Sequence, residues 1–332
     1  MRLKRTGGAQ ALAGRALAFA SLMVCLWADV SNAQANSGAL DLLLPIGARA
    51  TALGTAFVAE QGSEAIWWNP AGMARLTKPD FALDHFETVF IKGDAVALVF
   101  PVPKVGAFGV SARLFNYADV PSLDSSGVQT GNLLNRTVVL GATFAAPFGP
   151  NVTAGVTYHL YQGRSDCSGS CISDAFTTSA LDAGVQLRPF PSQPLVLGVQ
   201  LRNFGPSIQV RDKPQSDPLP SRLHIGASYD PSFKQFPTDL RLRATAEVVT
   251  TPSLQLPEFR VGAQIGYVSA QSTLLARAGY VYQPSVQSAA TGPSVGLGLA
   301  QGRVSLDLTR VFETFSSGLG TPPTYISIRV GL

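Results

Sequence analysis

The chain has 332 residues, 46% hydrophobic and only 14% charged, with 32 Gly, 23 Pro and a formal net charge of +4. An ordinary soluble domain carries roughly 25% charged residues, so this balance excludes a disordered tail, a coiled coil and a typical cytosolic enzyme. Length alone admits one large domain or two modest ones, because a barrel can use roughly 200–250 residues as a single unit.

Residues 1–35 read as a secretory signal. Arg2, Lys4, Arg5 and Arg15 form a basic start, and Ala16 to Ala28 is a short apolar stretch. Ala33-Gln34-Ala35 then offers small residues to a signal peptidase, with cleavage after Ala33 or after Ala35. The apolar stretch is shorter than the roughly 20 residues a spanning helix needs, and Val24 before Cys25 does not suit a lipoprotein signal. Removing this segment takes away four basic residues and Asp29 and brings the net charge from +4 to +1. No basic patch that could track phosphates remains, which removes nucleic acid from the expected partners.

Residues 36–78 form a second segment without strand-like alternation. Gly47-Ala48-Arg49-Ala50-Thr51-Ala52-Leu53-Gly54 is followed by Ala56-Phe57-Val58-Ala59 and then by Ala65-Ile66-Trp67-Trp68-Asn69-Pro70-Ala71-Gly72-Met73. Small residues permit close packing, and Asn69-Pro70 can cap and start a short helix, Asn supplying the acceptor and Pro a preset φ. Alone, that dipeptide reads equally as a tight turn before the first strand.

Residues 79–332 alternate apolar with small or polar positions, the signature of strands. Phe108, Val110, Ala112 and Leu114 share one face, and Gly109, Ser111 and Arg113 the other. The pattern recurs near 138–144, 152–160, 181–188, 195–202, 222–229, 240–248, 259–267, 274–282, 294–300, 303–309 and 325–332. With weaker candidates near 80–90 and 93–102 this predicts fourteen antiparallel strands.

A water-soluble sandwich also alternates, so three further features decide for a transmembrane barrel. Linkers after even-numbered strands are short, such as Pro103-Lys104 and Phe148-Gly149-Pro150. Those after most odd strands are long and polar: 118–133, 164–174, 205–220, 249–257 and 310–323. Short turns at one rim and long loops at the other are the habit of outer-membrane barrels. Exceptions are a tight first hairpin and a longer turn at 231–237. Next, Arg113, Arg202, Arg243, Arg260 and Arg277 sit on the polar parity with Arg188, Arg222, Arg241, Arg303 and Arg329. These are expected to face a lumen, where they pair with carboxylates or lie at rims, because charges facing lipid are costly. Finally, the chain ends on the strand Tyr325 to Leu332, which can pair with the first strand and leave no open edge. Outer-membrane proteins often end on an aromatic residue, and Leu332 departs from that.

Cys167 and Cys171 form an even, closely spaced pair in the linker 164–174 and are expected as a loop disulfide, since no third ligand type for a metal lies nearby.

The run Gly-Ala-Arg-Ala-x-Ala-Leu-Gly-x-Ala-Phe-Val-Ala, an acidic spacer, and Trp-Asn-Pro-Ala-Gly resembles the opening of the PorV/PorQ family within the broader FadL-like outer-membrane transporters. The resemblance covers roughly residues 42–76 in detail and the barrel layout in general. It implies a fourteen-stranded barrel with an N-terminal hatch inside the lumen. Asn69, Pro70 and Ala71 map onto the hatch motif, with Trp67, Trp68 and Gly72 in or beside it; an interfacial anchor is the other reading of the two tryptophans. Relatives often carry an Asp pair where this chain has Glu60-Gln61-Gly62-Ser63-Glu64.

No catalytic chemistry is legible. His85, His159 and His224 lack metal-ligand spacing, and Gly296-Leu297-Gly298 lacks a dinucleotide fingerprint. The sequence therefore predicts a non-enzymatic outer-membrane barrel, without cofactor or metal, whose first partner is the lipid of that membrane. The leading expectation, implied by the resemblance, is a type IX secretion-associated protein that holds exported signal domains at the cell surface through its long loops. The alternative is a FadL-like passive channel for long-chain fatty acids or other hydrophobic small molecules. In that case Leu133, Leu134, Leu254 and Leu256 at the loop bases line an intake pocket, or else simply pack beneath the loops.

Overall fold

The computed structural model describes residues 38–190, 192–209, 216–231, 239–250, 257–284, 291–313 and 322–332. The expected signal segment and its cleavage site, and Leu254 and Leu256, lie outside the described residues.

Fourteen strands make the barrel wall: β1 (Asp80–Glu87), β2 (Ile91–Val102), β3 (Gly106–Tyr117), β4 (Gln129–Phe148), β5 (Val152–Gly169), β6 (Asp174–Leu187), β7 (Leu195–Phe204), β8 (Arg222–Tyr229), β9 (Leu240–Thr250), β10 (Glu258–Val268), β11 (Ser272–Tyr282), β12 (Gly292–Gln301), β13 (Val304–Val311) and β14 (Thr324–Gly331). Each pairs antiparallel with its sequence neighbours, and β1 pairs with β14 in the register Asp80↔Gly331 to Glu87↔Thr324, which closes the barrel. Closure satisfies every edge within the wall, the requirement that lipid imposes on backbone polar groups.

The alternation sorts as polarity dictates. Outward positions such as Val110, Leu160, Val261, Leu297 and Leu308 are exposed, whereas Arg113, Thr157, His159, Glu247 and Asp307 face inward and are buried. An exposed belt of aliphatic and aromatic side chains around a charged interior is stable only against hydrocarbon.

Two expected loops are corrected. The polar stretch 118–133 contains a short strand, Val120–Leu123, paired with the start of β4, and most of 164–174 is the continuation of β5 and start of β6. Strands β4 and β5 therefore run 20 and 18 residues and outreach the 8 residues of β1. Roughly 9–11 residues suffice to cross the bilayer, so these strands project beyond it on the long-loop side. Cys167 and Cys171 are disulfide-bonded at the tip of this projection.

Residues 38–79 precede the wall and contain only short helical turns, at Leu40–Leu43, α1 (Ala48–Ala52), Ser63–Trp67 and Pro70–Met73. Gly47, Gly54 and Gly62 take positive φ and break the segment into turns. Most of its residues are buried, and its partners are inward-facing residues from around the wall. Ser327 of β14 accepts the N–H of Ala48 at 2.7 Å, Thr309 of β13 donates to the Ala48 carbonyl at 2.6 Å, and Ser294 of β12 donates to the Ala52 carbonyl at 3.2 Å.

Candidate functional site

Close approach between segment and wall is made by missing side chains. A Cβ on Gly279 of β11 would stand 1.9 Å from the Gly54 nitrogen, and one on Gly184 of β6 would stand 2.0 Å from Asn69 Oδ1. The inward glycines are thus the recess into which the segment fits.

Asn69 acts as the sequence suggests and does more besides. Its Oδ1 accepts the Ala71 N–H at 3.1 Å and caps the turn that Pro70 opens. Its Nδ2 donates to the Val58 carbonyl at 2.7 Å and thereby ties two parts of the segment together. Trp67 and Trp68 are both buried, so they are not interfacial anchors here: Trp67 Nε1 donates to Asp84 at 3.1 Å and Trp68 Nε1 to the Ile46 carbonyl at 3.0 Å. Ala71 and Gly72 are buried beside them, and Gly72 allows the Glu60 carbonyl to come within 2.4 Å of where a Cβ would be.

Two of the segment's carboxylates, Glu60 and Glu64, are held by arginines. Glu60 pairs with Arg49 and, at 2.6 Å, with Arg243; Glu64 lies 3.3 Å from Arg49 and 3.1 Å from Arg329. Arg243 also forks onto Asp230 at 2.6 and 2.7 Å, and Arg277 and Arg329 share Asp307 at 2.6 and 2.8 Å. Asp41 accepts from Tyr117 and Tyr161 at 2.9 and 2.8 Å. Closer to the long-loop rim, Glu247 accepts the N–H groups of Phe57 and Val58 at 2.9 and 2.8 Å, and meets His224 Nδ1 at 2.7 Å and Arg260 at 3.2 Å. Asp182 lies 3.1 Å from His159, which meets Arg113 at 3.4 Å.

Two cavities flank the segment. One of about 260 Å³ opens toward the long loops, with Thr51, Gly54, Thr55 and Trp68 along its floor. Part of its wall is apolar, made by Leu40, Leu43, Leu44, Val281, Val311 and Tyr325, and the facing part carries Arg202, Asn203, Arg222, His224, Glu258 and Arg260. The other, of about 540 Å³, lies at the short-turn rim between Ala59, Glu60 and Gln61 of the segment and the turn that holds Arg188 and Phe190.

Of the expected lumen arginines, Arg202 and Arg260 line the first cavity and Arg243 lines the second. Arg113 and Arg277 are buried inward but line neither. Arg241 and Arg303 are exposed near the short-turn rim. Leu133 and Leu134 sit in the projecting part of β4 and do not line the long-loop cavity, whose apolar wall comes instead from the N-terminal segment and β11, β13 and β14. Sequence reading missed the acidic partners Asp182, Glu247, Glu258 and Asp307. Their signal was available: each is a carboxylate on the same parity as a strand arginine or threonine.

The barrel has the fold of FadL-like channels. It superposes on the toluene transporter TodX of Pseudomonas putida with a TM-score of 0.57 at 13% identity, covering 86% of this chain and 98% of that one. A Pseudomonas aeruginosa FadL homologue gives 0.53 at 13% identity over 86% and 98%, and the monoaromatic hydrocarbon channel CymD gives 0.57 at 11% over 87% and 98%. A search of curated proteins returned no significant match. The sequence model of the uncharacterised protein family UPF0164 matches residues 23–328, and the chain belongs to that family.

Proposed function

We propose that the protein is a non-enzymatic, passive channel for small hydrophobic compounds in the outer membrane. The observation that carries this reading is the half-apolar cavity inside a closed barrel, on the long-loop side of the buried segment. The FadL-like fold, shared with proteins described as a toluene transporter and a monoaromatic hydrocarbon channel, supports it. In this reading residues 38–78 act as a hatch. A hydrophobic solute rests on Leu40, Leu43 and Val281, and passage needs a local shift of the stretch 53–61 that separates the two cavities.

The secretion-associated role expected from the PorV/PorQ resemblance rests on roughly residues 42–76 in detail and on the barrel layout in general. The projecting strands β4 and β5 would serve it as a display surface.

Uptake decides between the two. Liposomes carrying the full mature chain should take up toluene or a long-chain acid faster than empty liposomes while excluding a disaccharide of similar size. Deleting residues 42–76 should let the disaccharide through. No acceleration for any hydrophobic solute, together with retention of an exported signal domain on the protein, would favour the secretion role.

A further inference from the structure

On the outer face of the wall the lipid-facing belt ends at a pair of arginines. Arg136 of β4 and Arg164 of β5 are direct cross-strand partners, both exposed, on the outward parity that Leu140 and Leu160 occupy further down the same strands. Residues so opposed stand roughly 4.5–5.5 Å apart at Cβ, and like charges in that position destabilise a sheet. Asp166 relieves this in part by accepting from Arg164 Nε at 2.7 Å. Among the described residues no carboxylate pairs with Arg136. Two guanidiniums against one carboxylate leave a positive charge over.

Their height on the wall decides what meets them. From the short-turn ends at Phe148 and Val152, the roughly 9–11 residues that cross the hydrocarbon reach to about Val138 and Gln162. Arg136 and Arg164 come next on the outward face of each strand, at the level of the lipid headgroups. Beneath them Leu114 of β3, Val138, Leu140 and Leu160 face outward. Leu114, Arg136, Val138, Gln162, Arg164 and Asp166 line one groove of about 400 Å³ on this face, within the roughly 300–1,000 Å³ of clefts that take small molecules. The groove is apolar at its foot and cationic at its top, complementary to a lipid with an anionic head. A phosphate suits that head, because it has oxygens enough to meet the planar forks of two guanidiniums at once.

We infer that this groove binds a phosphorylated lipid of the leaflet on the long-loop side. Its phosphate bridges Arg136 and Arg164 and removes their mutual repulsion, and an acyl chain lies on Leu114, Val138, Leu140 and Leu160. The site depends only on the barrel's place in a membrane and is independent of what passes through the lumen.

The test is native mass spectrometry of the full mature chain in micelles of a neutral detergent, with dioleoyl phosphatidic acid and dioleoylglycerol, which share their chains and differ by the phosphate, at matched mole fraction. Phosphatidic acid should bind about tenfold or more tightly than dioleoylglycerol. Arg136→Gln and Arg164→Gln should each weaken it by about fivefold, the scale of one cation at a lipid surface. Gln162→Glu, which sets a carboxylate in the same groove, should abolish the preference without removing either arginine. Arg303→Gln, at an exposed arginine of the opposite rim, should leave it unchanged. All four positions are exposed, and the heat-dependent gel shift confirms that each variant is a folded barrel. Inorganic phosphate in large excess should not displace the bound lipid. Equal binding of the two lipids, a preference that survives in the three groove variants, an equal loss in Arg303→Gln, or displacement by inorganic phosphate overturns the lipid site. Each of these results leaves the uptake measurement, and with it the channel reading, untouched.

Discussion

At Glu247 one buried carboxylate serves two backbone N–H groups of the N-terminal segment, a histidine and an arginine of the wall. Removing it strands all four at once. Glu247→Leu should cost about 3–5 kcal/mol, the scale for breaking a buried charged network on one side, and Glu247→Gln, which keeps an acceptor, distinctly less; urea unfolding followed by the heat-dependent gel shift of the barrel checks both. Gly279 has the opposite problem, since any side chain there meets the Gly54 backbone. Gly279→Val should destabilise by about 1–3 kcal/mol through overpacking. It should also raise the ion conductance of planar bilayers containing the protein, because the segment must move away from β11; unaltered conductance would mean that the wall yields instead.

At the level of elements, the fourteen strands were legible because a membrane strand must alternate, whereas the ends of β4 and β5 were not. Above the hydrocarbon layer both faces of a paired ribbon meet water, so Asn132, Arg164 and Asp166 carry no period-two signal and read as loop. Only the pairing Gly131↔Gly169 to Arg136↔Arg164 makes them strand. The Cys167–Cys171 bridge closes a loop with a sequence separation of 4, for which chain entropy gives about 2 kcal/mol of local stabilisation. Replacing both cysteines by serine should therefore speed amide exchange in residues 165–173 and leave the unfolding midpoint of the barrel in place.

Across the whole molecule the two faces of the wall obey opposite rules. Leu297 lies mid-strand in β12 and is 66% exposed on the outer surface. Leu297→Arg should cost about 2–4 kcal/mol of stability in a bilayer, the depth-dependent cost of a lipid-facing cation. The inner face carries Arg202, Arg260 and Arg277 at little cost because acidic partners lie opposite. The Asn-Pro-Ala-Gly element was readable in the same way as the strands, since Asn before Pro is a local capping signal, but its second task, the bond from Asn69 to Val58, spans eleven positions and left no local trace.

The sequence by itself determined a lipid-facing antiparallel barrel, its strand number and the inward parity of its arginines, because each follows from a period-two pattern that hydrocarbon enforces residue by residue. Tertiary structure alone decided which carboxylate meets which arginine and where the buried segment leaves room for a cavity. Those outcomes depend on side chains from different elements, some of them more than a hundred positions apart, that meet only when β1 pairs with β14 and the wall closes around residues 38–79.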